Sequence, residues 1–167
     1  MSTTKAKTTS ALDRVRDLLA QGRLDDALEY LDHVGQTTPE FQNARAVCLM
    51  RLGKVPQAVS LLRDLVFRGN ICIPSDAPVL YLINFATAML LANYKDGAMP
   101  ILKGLDARRY PQVGELKEAI ERWVRGLNFL ERCGYHLGLY PGKPIRMDFP
   151  LGRIELMEAD ERPRLSA

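Results

Sequence analysis

The sequence predicts an all-α solenoid of antiparallel helix pairs, with a C-terminal capping helix and a short extended or β-hairpin tail. Three observations carry this. A small residue holds the same place in three similar segments, at Ala27, Ala58 and Gly97. Five columns keep one offset of 31 residues: Gly22 to Gly53, Leu24 to Val55, Ala27 to Ala58, Leu31 to Leu62 and Val34 to Leu65. The next step is 39, from Val55 to Tyr94, Ala58 to Gly97 and Leu62 to Ile101. Offsets of about 20 to 50 residues mark stacked units that bury a continuous core only together.

Each column has a physical reason. Gly22 and Gly53 follow apolar-periodic runs, where a left-handed residue ends a helix without a Cβ penalty. Leu24, Val55 and Tyr94 are expected to plug the gap between the helices of a pair. Ala27, Ala58 and Gly97 are expected where two helix backbones cross closely. Leu28, Leu31 and Val34 continue at helical spacing, as do Val59, Leu62 and Leu65. Pro39 follows the first pair and suits the first turn of the next helix.

These residues resemble the tetratricopeptide repeat family. The best match runs from Gly22-Arg-Leu-Asp-Asp-Ala27 to Pro39 and on through Gly53-Lys-Val-Pro-Gln-Ala58. The resemblance covers about three degenerate helix-pair repeats over residues 10–106. It departs from the family at Arg45-Ala46 and Asn84-Phe85, where aromatic and Leu-Gly landmarks are usual, and at Ala92, where a turn glycine is usual. It implies a right-handed solenoid whose first helices line a concave groove, and a protein-binding rather than catalytic task.

Taken in order, residues 1–9 are polar and read as a disordered arm, and residues 10–134 as the repeat domain with its capping helix. Ser10 and Asp13 form a capping-box-like start. Leu12, Val15, Leu18 and Leu19 make the first stripe. A second helix is expected over 25–34, a third from Pro39 to Leu52, and a fourth from Pro56 to near Gly69. An inserted loop, 69–76, carries Ile71-Cys72-Ile73 and is expected to fold back on the core. Ser75 or Asp76 is expected to cap an apolar helix over 79–92. Its partner is expected over 98–105, with Pro100 in its first turn. A long amphipathic helix over 114–133, with Leu116, Ile120, Trp123, Leu127 and Leu130 on one stripe, would close the open end of the stack.

From residue 135 to 167 glycine and proline recur, and the segment reads as an extended tail. Ile145, Met147 and Phe149 alternate with Arg146 and Asp148, and Ile154 and Leu156 alternate with Arg153 and Glu155. Pro150-Leu151-Gly152 reads as the turn of a hairpin between them.

Composition excludes several classes. Of 167 residues, 23 are basic and 20 acidic, for a net charge of +3. That balance does not argue for nucleic acid. The densest basic cluster is Arg108-Arg109 with Lys103 and Tyr110, flanked by Asp106 and Glu115. No apolar run approaches the ~20 residues of a membrane span, and the N-terminus lacks a secretory pattern. Three cysteines, Cys48, Cys72 and Cys133, read as reduced thiols of a cytoplasmic protein. No phosphate loop, zinc motif or nucleophile elbow is present in the sequence. Cys133 and His136 supply two metal-type residues where about four are needed. No cofactor, no metal and no catalytic residue is expected.

The expected function is therefore a non-catalytic adaptor or chaperone-like module that binds a peptide or protein segment in an apolar concave groove. The groove residues are Arg16, Leu19, Asn43, Val47, Met50, Leu82, Ala86 and Met89. In relatives that grip a C-terminal carboxylate, Lys, Arg and Asn line this groove. Leu12, Arg16, Ala44, Leu82 and Ile83 hold the matching places here, so the resemblance implies no such clamp. Two alternatives are a self-assembling subunit, whose 134–157 arm fills its own groove or a neighbour's, and a nucleic-acid-associated module built on Arg108-Arg109.

Overall fold

In the computed structural model, residues 2–35 and 37–155 are described, with side chains from residue 11 onward. The order is α1 (Ser2–Ala20), α2 (Leu24–Val34), α3 (Pro39–Arg51), α4 (Val55–Phe67), α5 (Val79–Leu91), α6 (Lys95–Lys103), α7 (Pro111–Arg125) and α8 (Phe129–His136). No strand occurs among the described residues. Helices α1–α2, α3–α4 and α5–α6 pack as pairs, and each pair packs on the next through α2–α3 and α4–α5. The odd-numbered helices also touch in series, α1 to α3 to α5 to α7. They form one layer, and the face of that layer carries the site.

The turn inside each pair repeats atom for atom. Gly22, Gly53 and Asn93 all have positive φ. Arg23, Lys54 and Tyr94 then donate back to the carbonyls of Leu18, Leu49 and Met89. Glycine and asparagine are the residues that reach the left-handed region cheaply. This fixes the third offset at 40 rather than 39. The small residue of the third unit is Ala98, fully buried like Ala27 and Ala58, whereas Gly97 is exposed. The plug of the third unit is Lys95 in place of Tyr94, and Leu102 in place of Ile101 continues the stripe of Leu31 and Leu62. Gly97 still lies close to α5, since a Cβ there would stand 3.0 Å from Met89 Sδ.

Other boundaries move for local reasons. Helix α1 extends back to Ser2, so Ser10 does not start it and the arm expected over 1–9 is helical from residue 2. Pro100 falls inside α6 rather than in its first turn. Pro100 is exposed, and it removes one hydrogen bond from the helix. The helix expected over 114–133 breaks at Gly126 into α7 and α8. The break is made by a capping box, Asn128 Oδ1 accepting from Glu131 N–H at 2.9 Å and Glu131 Oε2 accepting from Asn128 N–H at 3.0 Å. Leu116, Ile120, Trp123 and Leu127 are buried as expected, but Leu130 is 78% exposed. In the inserted loop only Ile73 packs on the core, and Ile71 is 97% exposed. Pro78 precedes α5 with no side-chain cap, because Asp76 pairs with Arg68 instead.

Candidate functional site

The tail runs back over the face of the odd-numbered helices and covers it. Its root is fixed by aromatic packing and by main-chain hydrogen bonds. Tyr135 meets Trp123 and Tyr140 edge to face. Lys95 Nζ donates to the Pro141 carbonyl at 3.0 Å and to Asn93 Oδ1, and sits 4.9 Å from the centre of the Trp123 ring. Lys95 is 1% exposed because its column is the one that holds Leu24 and Val55, and burial lowers its pKa. Asn93 Nδ2 donates to the Gly142 carbonyl at 3.2 Å, and Trp123 Nε1 to the Lys143 carbonyl at 3.0 Å. Lys143 in turn pairs with Glu131 at 2.6 Å, which together with the Asn128 cap holds the Glu131 carboxyl below its ordinary value.

Further along, the alternation seen in the sequence turns Ile145, Met147 and Phe149 toward the helices and leaves Arg146, Asp148 and Pro150 exposed. Among the described residues of this segment no strand pairing occurs, and Leu156 of the expected hairpin lies outside them. Half-buried Phe149 lies at the gap between α5 and α7, beside Ile83, Thr87 and Leu116, and Pro150 lines its rim. Residues 151–155 then cross α5, α3 and α1.

This crossing is held by side chains that grip the main chain of the tail. Arg51 donates to the carbonyls of Leu151 and Gly152 at 2.9 and 3.1 Å. Asn84 Nδ2 donates to the Arg153 carbonyl at 2.7 Å, and Asn84 Oδ1 accepts from the Arg153 N–H at 3.0 Å. Asn43 Nδ2 donates to the Arg153 and Ile154 carbonyls, and Asn43 Oδ1 accepts from Asn84 at 2.7 Å. Both asparagines are fully buried, and each such bond contributes about 0.5–1.5 kcal/mol net while an unmade one costs more. Beyond them, Arg16 pairs with Asp13 and with Glu155 at the edge of the layer. Burial pulls Arg51 below its usual pKa, the Cys48 thiol opposes that, and nearby Arg153 adds to it.

Gly152 is the tightest point. It is buried at φ +68°, and a Cβ would stand 2.6 Å from Met50 Cε, 3.0 Å from Val47 Cγ2 and 3.4 Å from Asn84 Oδ1. The residue expected as a hairpin turn is thus the point where the backbone presses onto α3. Beside it, among the described residues, lies an open depression of about 680 Å³, lined by Arg16, Leu19, Arg51 and residues 152–155.

Of the eight groove residues expected from sequence, five meet at this surface. Asn43 and Arg16 bond the tail, Val47 and Met50 face Gly152, and Leu19 lines the depression. Leu82, Ala86 and Met89 do not join them. Met89 turns its sulfur toward Gly97 of α6. The one-residue slip in the third unit accounts for all three, since one residue turns a helix face by about 100°. Their counterparts at offset 40 are Ile83, Thr87 and Leu90, and Ile83 and Thr87 line the gap where Phe149 lies. Reasoning from sequence also missed Arg51, Asn84, Asn93, Lys95 and Trp123. The missed signal was Asn93, a left-handed residue that stands in the turn just after the position where a glycine was sought. The groove is also less apolar than expected, because its floor carries two asparagines and its contacts are polar groups on main chain.

The remaining candidates stay apart. Tyr110, beside the Arg108-Arg109 cluster, is buried, with Arg109 over its ring and Asp106 bonded to the Arg108 N–H. His33 bonds the Glu29 carbonyl of its own helix. Cys48 is buried, while Cys72 and Cys133 are exposed, and all three are free thiols. No group of three or more metal-type side chains is found among the described residues. None of the described helices is long and apolar enough to cross a membrane.

Neither a curated protein nor a solved structure matches the chain. A tetratricopeptide repeat family model matches residues 18–70, which span the end of α1, the α2–α3–α4 run and the start of the inserted loop. The third pair, α5–α6, repeats the same turn beyond that stretch. By this match residues 18–70 carry tetratricopeptide repeats, units that generally mediate contacts between proteins and are typically not catalytic.

Proposed function

We propose that this protein is an adaptor or chaperone-like module that takes one extended protein segment across α1, α3 and α5, and that its own residues 150–155 occupy that place until a partner displaces them. The observation that carries the reading is Asn84, which bonds both main-chain groups of Arg153. Side chains that bind peptide groups accept many sequences, as strand-type peptide recognition does. The binding residues in this reading are Arg16, Leu19, Asn43, Val47, Met50, Arg51 and Asn84. A cytoplasmic setting belongs to the same proposal, supported by three free cysteines, two of them exposed.

The test uses the full chain with Gly152→Val, which forces the tail off α3, against an array of short peptides. The altered chain is expected to capture a defined subset, and Asn84→Ala added to it is expected to abolish capture. Capture that is indifferent to Asn84 would contradict the reading.

A second reading, self-assembly, has one observation in its favour. Phe129, Leu130, Leu137 and Leu139 are exposed together on α8 and at the root of the arm. Leu130 and Cys133 share one face of α8 at i and i+3, and Leu137 is the residue that ends the helix. Light scattering of the full chain, with and without Leu130→Glu and Leu137→Glu, decides it: a dimer that these changes dissolve supports assembly, and a monomer in both cases removes it.

A further inference from the structure

We infer that the groove selects a partner by one residue, a glycine seated between Met50 and Asn84, and that the partner is an extended segment with glycine there and a residue other than proline next. The inference rests on the groove reading above and narrows its partner class. Every hydrogen bond that α3 and α5 make to residues 151–154 goes to main chain, so those bonds select shape and register but not side chains. Selection must come from where a side chain has no room. That place is Gly152, where a Cβ would fall 3.0 Å from Cγ2 of the stiff Val47 side chain and 2.6 Å from Met50 Cε, the flexible end of a side chain that is itself buried and has little space to yield. Its φ of +68° adds a second reason, since the left-handed region penalises a side chain. The following residue must keep its N–H, because Asn84 Oδ1 accepts it. Proline lacks that group. The residue three places after the glycine reaches Arg16, which favours an acid there.

The chain's own tail satisfies these rules but does not satisfy every group in the groove. Gln112 Oε1, buried at the gap beside Phe149 and Arg153, has no hydrogen-bond partner among the described residues. A partner with a donor at that place would gain a bond the tail does not make. Such a partner competes with a tethered segment at an effective concentration of about 1 mM, so in the unaltered chain only a good match displaces the tail.

The experiment measures binding of a labelled peptide with the sequence of residues 148–155 to the full chain carrying Gly152→Val, by fluorescence polarisation. Ile154→Asp serves as a second unseating change if circular dichroism shows the first to be unfolded. Three peptides are compared: the natural one, one with alanine in place of its glycine, and one with proline in place of the arginine that follows. The natural peptide is expected to bind, and the other two at least about tenfold more weakly. Equal binding of all three would overturn the glycine rule and leave the groove standing. No binding of any peptide to a folded, unseated chain would overturn the groove reading itself, and the rule with it.

Discussion

Asn84 and Asn43 are linked to each other and to Arg153 and Ile154, so neither acts alone. Asn84→Ala leaves the Arg153 N–H and the Asn43 amide short of a partner in a buried place. A loss of roughly 2–3 kcal/mol is expected, read from urea unfolding. Asn43→Ala and Asn84→Ala together are expected to cost less than the sum of the two. Cys48 gives a separate, pH-linked test. Burial raises its thiol from 9.0 to about 11. A raised folded pKa means the stability from keeping the thiol neutral is complete below pH 9 and is lost as pH rises from 9 toward 11. Unfolding free energy is expected to fall by about 1 kcal/mol more between pH 8 and 10 in the natural chain than in Cys48→Ala. Tyr81, raised by burial and by Glu40 to about 12, adds its own loss only above pH 10. At this scale the sequence exposed Asn43 through its spacing. It hid Lys95, because a lysine in an apolar column looks like an exposed residue until its carbonyl partner on a distant segment is known.

Among the elements, the first two pairs were legible because identical loop lengths keep one offset through five columns. The third was misplaced by one residue for a definite reason. Gly97 and Ala98 are both small, and Ile101 and Leu102 are both apolar, so columns 39 and 40 look alike. Only the backbone settles it, at the positive φ of Asn93. The difference is measurable. Ala98→Leu overfills a buried helix crossing and is expected to cost about 1–3 kcal/mol. Gly97→Ala meets only the flexible end of Met89 and gains helix propensity, so it is expected to stay within about 1 kcal/mol of the natural chain. Thermal unfolding of the two variants checks the register, and the reverse ranking would restore an offset of 39. The α7–α8 break was hidden for another reason: Asn128 and Glu131 sit inside a run whose apolar spacing continues unbroken to Leu130.

For the whole molecule, the helix-pair plan was legible from one sequence because it rests on local periodicity. The course of the tail was not. Its grip comes from contacts 69 to 139 residues apart, such as Asn84 to Arg153 and Arg16 to Glu155. Alternating apolar residues around Pro150-Leu151-Gly152 suit a hairpin locally, but a hairpin would have to find all of its partners within itself. The groove offers the same main chain three side chains, Arg51, Asn43 and Asn84, that are already held in place by helices. The central claim is that residues 151–155 lie in the chain's own groove in solution. Amide hydrogen exchange of Arg153, followed by NMR on the full chain, tests it most directly. Its N–H donates to buried Asn84, so exchange at least about a hundredfold slower than in a free chain is expected, with the protection lost in Asn84→Ala. Exchange of Arg153 at the free-chain rate in the natural protein would contradict the claim.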